Sequence, residues 1–394
     1  MTSDLGLDLE LWQRLLAPEY TALRAEAAAC DPTVARELAR LRANWPREVV
    51  TVALELAAAR RKGAGRLFPS GELVADVPGV EMATGARVAA HKAARFRVAG
   101  AQAISDLCCG IGGDLIELCK VAPTLGYDLS PTRAWMAGLN SAAPTACADA
   151  AAMALDTPYF HIDPARRNAD PRVRTRARRL AEYQPGPNVI ARILRESPNG
   201  AIKLGPGIDF EELRFAPDAE LEFVSDGGEL VQAVLWCGAL AHAPGERTAT
   251  RLPQGLSYTG TPARQLPIAN FPPRYLHVAD PALERAQLLA SLCVPLQLGE
   301  LAANLGVLAS ADPVESPWLT SFEIVDQRPW HDDDARAWLK SHDARRVEIK
   351  TRDAAADANQ LTKTLRRAGA TDYTLFVLRL GRSKQAYLTR RRSG

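Results

Sequence analysis

The sequence has no C-x-x-C pair among its seven cysteines, no long apolar run, and only 6% aromatic residues in 394. Without paired cysteine spacing there is no sign of a zinc site, and an odd cysteine count does not make a complete disulfide framework. No metal is expected. A membrane-spanning helix needs ~20 consecutive apolar residues, and none of the runs approaches that length. The N-terminus also lacks the charged-then-apolar pattern of a secretory signal, so a cytoplasmic protein with no membrane partner is expected. Charge of one sign is missing as well, since 48 Lys and Arg against 46 Asp and Glu leave +2. With 47% apolar and 24% charged residues the composition is globular. Its length exceeds one ordinary core, which implies two or three domains.

The most informative stretch is Ser105-Asp106-Leu107-Cys108-Cys109-Gly110-Ile111-Gly112-Gly113-Asp114. An apolar run, Ala101 to Ile104, precedes it and a helical pattern, Leu115 to Lys120, follows, so the glycines fall in a strand-to-helix turn. Gly110 and Gly112 let such a turn be tight and approach a ligand closely. The third glycine of a pyrophosphate-binding G-x-G-x-x-G is missing. Acids flank the turn instead, at Asp106 and Asp114, and carboxylates repel phosphate but accept hydrogen bonds from an ammonium or a ribose hydroxyl. The ligand implied is cationic and carries a nucleoside. Thr124-Leu125-Gly126-Tyr127-Asp128 then ends in an acid where a doubly wound sheet places its ribose-binding carboxylate.

Together these elements resemble the cofactor half of class I S-adenosylmethionine (SAM)-dependent methyltransferases. The resemblance implies an α/β fold with a Rossmann-like seven-stranded sheet, and SAM as cofactor. It implies cofactor contacts at Asp106, Cys108, Gly110, Gly112, Asp114 and Asp128, with Cys108 and Cys109 as small packing residues. Asp149, after a short strand at Pro144 to Cys147, stands where this fold brings an acid to the adenine amine, although a plain helix cap has the same spacing. Before the first strand, Glu81 to Phe96 reads as a loop with Thr84 as N-cap of a helix. That segment resembles the Ser-Val-Thr-Pro of the cap guanine-N2 (trimethylguanosine synthase-like) methyltransferases, which places Thr84 against the cofactor. His91 reads as a helix-surface residue.

Tyr159-Phe160-His161-Ile162-Asp163-Pro164-Ala165-Arg166-Arg167-Asn168 is an apolar strand running into a polar, proline-bent loop. In open α/β sheets the carboxyl ends of strands face the ligand crevice. Asp163, Pro164 and Arg166 are therefore the candidate catalytic residues. Amine-methylating relatives carry Asp/Asn-Pro-Pro-aromatic here; this chain has Ala165 and Arg166 instead of the second proline and the ring. Seven arginines fall between Arg166 and Arg179. A solvated face is the ordinary explanation, but self-repulsion favours an anionic strand, with Arg167, Arg172 and Arg174 as substrate contacts. Lys203 at the end of a fifth strand (Gly200 to Leu204), Asp209 and Glu229 are further substrate-side candidates. An Asp226-Gly227 hairpin joins Glu220 to Val224 and Glu229 to Trp236.

Residues 1–75 read as helices: Leu9 to Leu16, Tyr20 to Ala29, Val34 to Arg42 and Pro46 to Lys62. The expected plan is 1–75 helical, 76–255 methyltransferase, 256–321 a linker with a small ferredoxin-like unit, and 322–394 a basic module. Arg251 to Pro273, rich in Pro, Gly and Thr, reads as the linker. From Ser341 to Gly394 there are 13 Lys and Arg against 5 Asp and Glu, a local +8 on a chain whose remainder is −6. An anionic partner such as nucleic acid fits that end. Its strand-helix-strand-helix-strand-strand order, with Val347-Glu348-Ile349-Lys350-Thr351-Arg352, resembles the α+β THUMP-like domain found behind a bacterial methyltransferase family. Asp-Leu-Cys-Cys-Gly-Ile-Gly-Gly-Asp, Asp-Pro-Ala-Arg-Arg, Gly-Pro-Gly-Ile-Asp and Gly-Glu-Leu-Val extend that resemblance over most of the chain. THUMP domains bind RNA, so the resemblance implies methylation of structured RNA. Open alternatives are a small-molecule or protein substrate, a non-catalytic RNA-binding protein that keeps a SAM pocket, and a C5-pyrimidine reaction with Cys237 as nucleophile.

Overall fold

The computed structural model describes residues 8–67, 72–166, 178–331, 334–352, 355–364 and 369–392. They form two compact units, Met1–Val224 with Val231–Gly245, and Ser225–Leu230 with Glu246–Gly394.

The first unit begins with helices α1 (Leu9–Leu16), α2 (Thr21–Ala29), α3 (Ala35–Asn44) and α4 (Arg47–Gly63). Asp8 caps α1 by accepting from Glu10 N–H at 2.9 Å, satisfying a donor that the helix leaves unpaired. Val49, Val50, Ala53 and Leu56 of α4 pack with Trp12, Leu15, Leu23 and Leu41. The same core includes Ile111 from the glycine turn and Met136. The helices expected to be a separate domain over 1–75 thus share a core with the glycine turn, because an apolar helix stripe must be covered. Helix α5 (Val77–Met82), started by the Asp76 cap, replaces part of the expected loop. Helix α6 (Ala86–Val98) has Gly85, not Thr84, at its N-cap.

Strands β1 (Ile104–Leu107), β2 (Thr124–Asp128), β3 (Thr145–Cys147) and β4 (Tyr159–Ile162) follow, with helices α7 (Leu115–Leu118) and α8 (Pro131–Ser141) between them. A two-residue ladder pairs β5 (Ala165–Arg166) with β6 (Tyr183–Gln184). Helix α9 (Pro187–Glu196) leads to β7 (Asn199–Leu204), and β8 (Glu220–Asp226) and β9 (Glu229–Cys237) close the run. Seven strands lie side by side in the order β8-β9-β7-β4-β1-β2-β3. This is the expected class I methyltransferase sheet. Strands β1, β2, β3, β4 and β7 are mutually parallel along their shared edges, and β9 runs antiparallel to β7. The chain reverses its winding between β1 and β4, so a crevice opens there at their carboxyl ends. Behind it Phe96 of α6 meets Trp236 edge to face at 6.3 Å.

In the second unit Arg247–Leu252 (β10) and Leu256–Gly260 (β11) form an antiparallel pair, so the proposed linker is in part a hairpin. A seven-stranded sheet then runs β13-β14-β12-β15-β18-β17-β16, with β12 Tyr275–Ala279, β13 Gly299–Glu300, β14 Leu308–Ser310, β15 Leu319–Pro329, β16 Ala344–Arg352, β17 Thr371–Leu380 and β18 Ser383–Arg391. Leu276 of β12 lies opposite Phe322 of β15. The expected ferredoxin-like unit over 256–321 is therefore continuous with the THUMP-like strands, whose exposed edge it extends. Phe322 packs edge to face on Phe376 at 5.0 Å. Helices Ala335–Ser341 and Ala358–Thr364 fall where strand-helix alternation placed them. Asp334 stands at the first cap, while Asp332 and Asp333 lie outside the described residues. Among the described residues no helix is long and apolar enough to cross a membrane, and no His, Cys, Asp and Glu group could hold a metal.

Candidate active site

Strand β1 runs through Asp106 to Leu107, further than the apolar pattern indicates, and the turn begins at Cys108 with φ 58°. A positive φ at a non-glycine residue costs ~1–2 kcal/mol, and such strain concentrates at functional turns. Gly110 has φ 57°, and a Cβ there would meet nothing within 4 Å, so its outer side is open. Gly112 serves the interior instead, since a Cβ would stand 3.2 Å from Ala137 Cα of α8. One glycine faces the crevice and the other lets two elements meet.

Asp128 ends β2 half-buried, its Oδ2 accepting from Gly110 N–H and its Oδ1 from Ser130 N–H, each at 2.9 Å. Those bonds fix the carboxylate at the rim of the glycine turn. The next residue, Leu129, is 61% exposed, an apolar side chain that periodicity alone does not single out. Asp149 is exposed and accepts from Ala151 N–H at 2.8 Å, closing a turn where no helix follows. The Cys108 thiol is pushed up by burial and then by Asp128, Asp163, Asp106 and Asp149, which places it among all four acids.

The acids that flank the turn point inward. Asp106 is fully buried and sits opposite His161 in the β1–β4 register, so their side chains share one face of the sheet and meet at 2.7 Å. Asp114 accepts from Thr84 Oγ1 at 2.6 Å and stands 2.7 Å from Lys92 Nζ. An ammonium of the chain itself, that of Lys92, thus stands at Asp114, while Asp106 meets the His161 ring. Lys92 also lies 3.1 Å from His161 Nε2, and its side chain is 1% exposed. Burial pushes the Asp114 carboxyl up, but its cationic neighbours, Lys92 foremost, overcome it and hold the group well below the usual carboxylate range. Burial pushes Lys92 down and Asp106 up, against their partners. Removing one member of such a buried pair costs ~3–5 kcal/mol, because the other charge is left unpaired. Lys92 and His161 have a signal in retrospect: Lys92 interrupts the apolar, buried stripe Val88-Ala89-Ala93-Phe96 on α6, and His161 interrupts the buried run Phe160-His161-Ile162 of β4.

Asp163 follows β4, with its N–H bonded to Leu107 O at 3.1 Å. Its Oδ2 is 2.5 Å from Lys203 Nζ, and Lys203 also reaches Met82 O at 3.4 Å. Both charges remain partly open, at 30% and 13% exposure, beside Met82, whose apolar side chain is 58% exposed. Pro164 is buried and turns the chain into β5. Arg166 contributes backbone to the β5–β6 ladder. Arg167, Asn168, Arg172, Arg174 and Arg176 lie outside the described residues; Arg178 and Arg179 are exposed. Asp209 is exposed and caps the turn of helix at Phe210–Leu213 through Glu211 N–H at 3.1 Å. Glu229 is exposed in the second unit.

One sequence expectation changes. His91 is half-buried and bonds Glu222 at 2.8 Å; burial opposes its protonation, but Glu222 outweighs that and raises it. Cys237 is buried as a packing residue would be, and desolvation pushes its thiol up to about 12, which disfavours the thiolate that a nucleophile requires.

Residues 319–391 match the family model described as THUMP domain-like. Two Mycobacterium tuberculosis proteins, each described as an uncharacterized S-adenosylmethionine-dependent methyltransferase, are 30% identical over 348 residues, covering 84% of this chain and 93% of theirs. A candidate methyltransferase from Porphyromonas gingivalis W83, solved by crystallography, aligns over 100% of both chains with a TM-score of 0.72 at 17% identity, which shows the fold.

Proposed function

The chain belongs to the S-adenosylmethionine-dependent methyltransferase family of these mycobacterial proteins, and on that premise we propose that it methylates a base of structured RNA. SAM is its cofactor. The observation that carries the RNA reading is the THUMP-like module at 319–391 in one chain with a methyltransferase sheet. Exposed Arg345, Arg346, Arg352, Arg390, Arg391 and Arg392 on its strands and at its end supply the positive surface that phosphates require. Arg392 lies over the Tyr275 ring at 5.4 Å and Arg390 over Tyr373 at 5.5 Å, so each guanidinium is held while its other face stays free.

The crevice fits the cofactor on three observations. Asp128 is anchored by two backbone donors and keeps lone pairs for the ribose hydroxyls. Leu129 offers apolar surface for the adenine ring, and Gly110 leaves room beside the turn. When bound, SAM supplies an electrophilic methyl group on a sulfonium. The protein then has to place the acceptor in line with it. Asp163 would accept a hydrogen bond from the target group, with Lys203 holding its Oδ2 and Met82 offering a surface for the base. A base inside a duplex would have to be flipped or already unpaired. The Thr84–Asp114 bond supports the narrower likeness to the cap guanine-N2 enzymes, since it sets the segment before β1 against the glycine turn.

Incubation with methyl-labelled SAM and separate RNA, protein and metabolite extracts tests this reading. Label in an RNA nucleoside is the expected result. Label in protein or metabolites alone overturns the RNA assignment, and cofactor binding without transfer to any extract leaves a non-catalytic binding protein.

A further inference from the structure

The buried cluster beneath the turn has a definite proton arrangement. Lys92 Nζ is 3.1 Å from His161 Nε2 and 2.7 Å from Asp114 Oδ1, while His161 Nδ1 is 2.7 Å from Asp106 Oδ1. An ammonium has donors only, so the ring nitrogen that faces it must accept. We propose that Lys92 is a positioning residue of the donor pocket, donating to His161 Nε2 so that the ring keeps its proton on Nδ1, and thereby tying β1, β4 and the glycine turn together.

The groups that face the ring come from every element around it: Asp106 on β1, Lys92 on α6 and Asp114 at the start of α7. Lys203 and Asp163 lie beyond Lys92. Asp114 Oδ2 is 3.7 Å from His161 Nε2. Without Lys92 the ring would stand between two carboxylates, which favour the imidazolium. Lys92→Met should therefore move the missing positive charge onto His161 and turn a silent histidine into a titrating one. The alternative arrangement, an imidazolium donating to a neutral amine, carries the same total charge. Ring nitrogen shifts distinguish the two.

The test is long-range 1H–15N spectroscopy on the six histidines of the full chain, with His161 assigned through His161→Gln. In the wild type, His161 should show protonated Nδ1 and bare Nε2 from pH 6 to 8. A doubly protonated ring, an Nε2–H tautomer, or a titration inside that range overturns the proposal even if Lys92→Met fails to fold. In folded Lys92→Met the ring should be doubly protonated at pH 7, and SAM affinity should fall at least tenfold between pH 6 and 9, against a flat wild-type profile. Lys92→Met with the wild-type profile overturns it, because a merely structural lysine would not create a titration. The second measurement rests on the cofactor reading and the first does not. Correct nitrogen shifts in a protein that fails to bind SAM would refute the pocket and not the proton arrangement.

Discussion

The carboxyl ends of β1 and β4 and the strand surface of the THUMP-like unit are both rich in charge, yet they use it in opposite ways. In the first unit Asp106, Asp114, Lys92 and His161 are withdrawn from water, and their contacts are with one another and with Thr84. In the second, Arg390 and Arg392 lie on aromatic rings with their charge open to solvent. A buried charge fixes geometry, because each partner is costly to lose; an exposed arginine contributes little to stability and remains available to a ligand. Asp163 and Lys203 stand between these extremes, paired but partly open. Such a pair is suited to meet a substrate.

Asp163→Ala gives the largest effect that follows from this contrast. Turnover should fall by ~10²–10⁴-fold, the range for loss of a positioned proton acceptor. SAM affinity, measured by calorimetry, should stay within a few-fold of wild type, since the proposed cofactor contacts lie at the ends of β1 and β2. Equal loss of both would make Asp163 another member of the structural network.

Asp128→Ala comes next. Its carboxylate is fixed by Gly110 and Ser130, and removal leaves the ribose hydroxyls without an acceptor, which should weaken SAM by ~1–3 kcal/mol. Unchanged affinity in the same calorimeter would remove the ribose from this strand end.

On the exposed side, Arg390→Ala, Arg391→Ala and Arg392→Ala together should leave thermal unfolding nearly unchanged and weaken RNA binding. The slope of log affinity against log salt should fall by about 2 if each arginine meets a single-strand phosphate. A lowered melting temperature with an unchanged salt slope would place these arginines with the structural charges and erase the contrast.

Cys237→Ala should do least. Its thiol is buried and pushed up by desolvation, so methyl transfer should continue at the wild-type rate, with a modest stability loss. Abolished turnover in a folded variant would restore the C5-pyrimidine mechanism.

Local patterns in the chain determined much of this protein. Alternation and helical spacing located the N-terminal helices, the strands before Asp128 and Asp163, and the strand-helix order of the C-terminal module, because those signals depend only on which residues neighbour one another. The glycine turn and the acid closing β2 carry the methyltransferase likeness for the same reason. Only the tertiary structure decided which way the charges faced. Asp106 and Asp128 read alike in sequence as acids near a turn. Asp106 lies opposite His161 across a parallel ladder and is sealed in; Asp128 ends its strand and meets the crevice. Thr84 likewise reads as a cap until Asp114, thirty residues away, takes its hydroxyl. Burial and partner choice are set by segments distant in the chain, whose register fixes whether a carboxylate meets water, a ligand or a lysine.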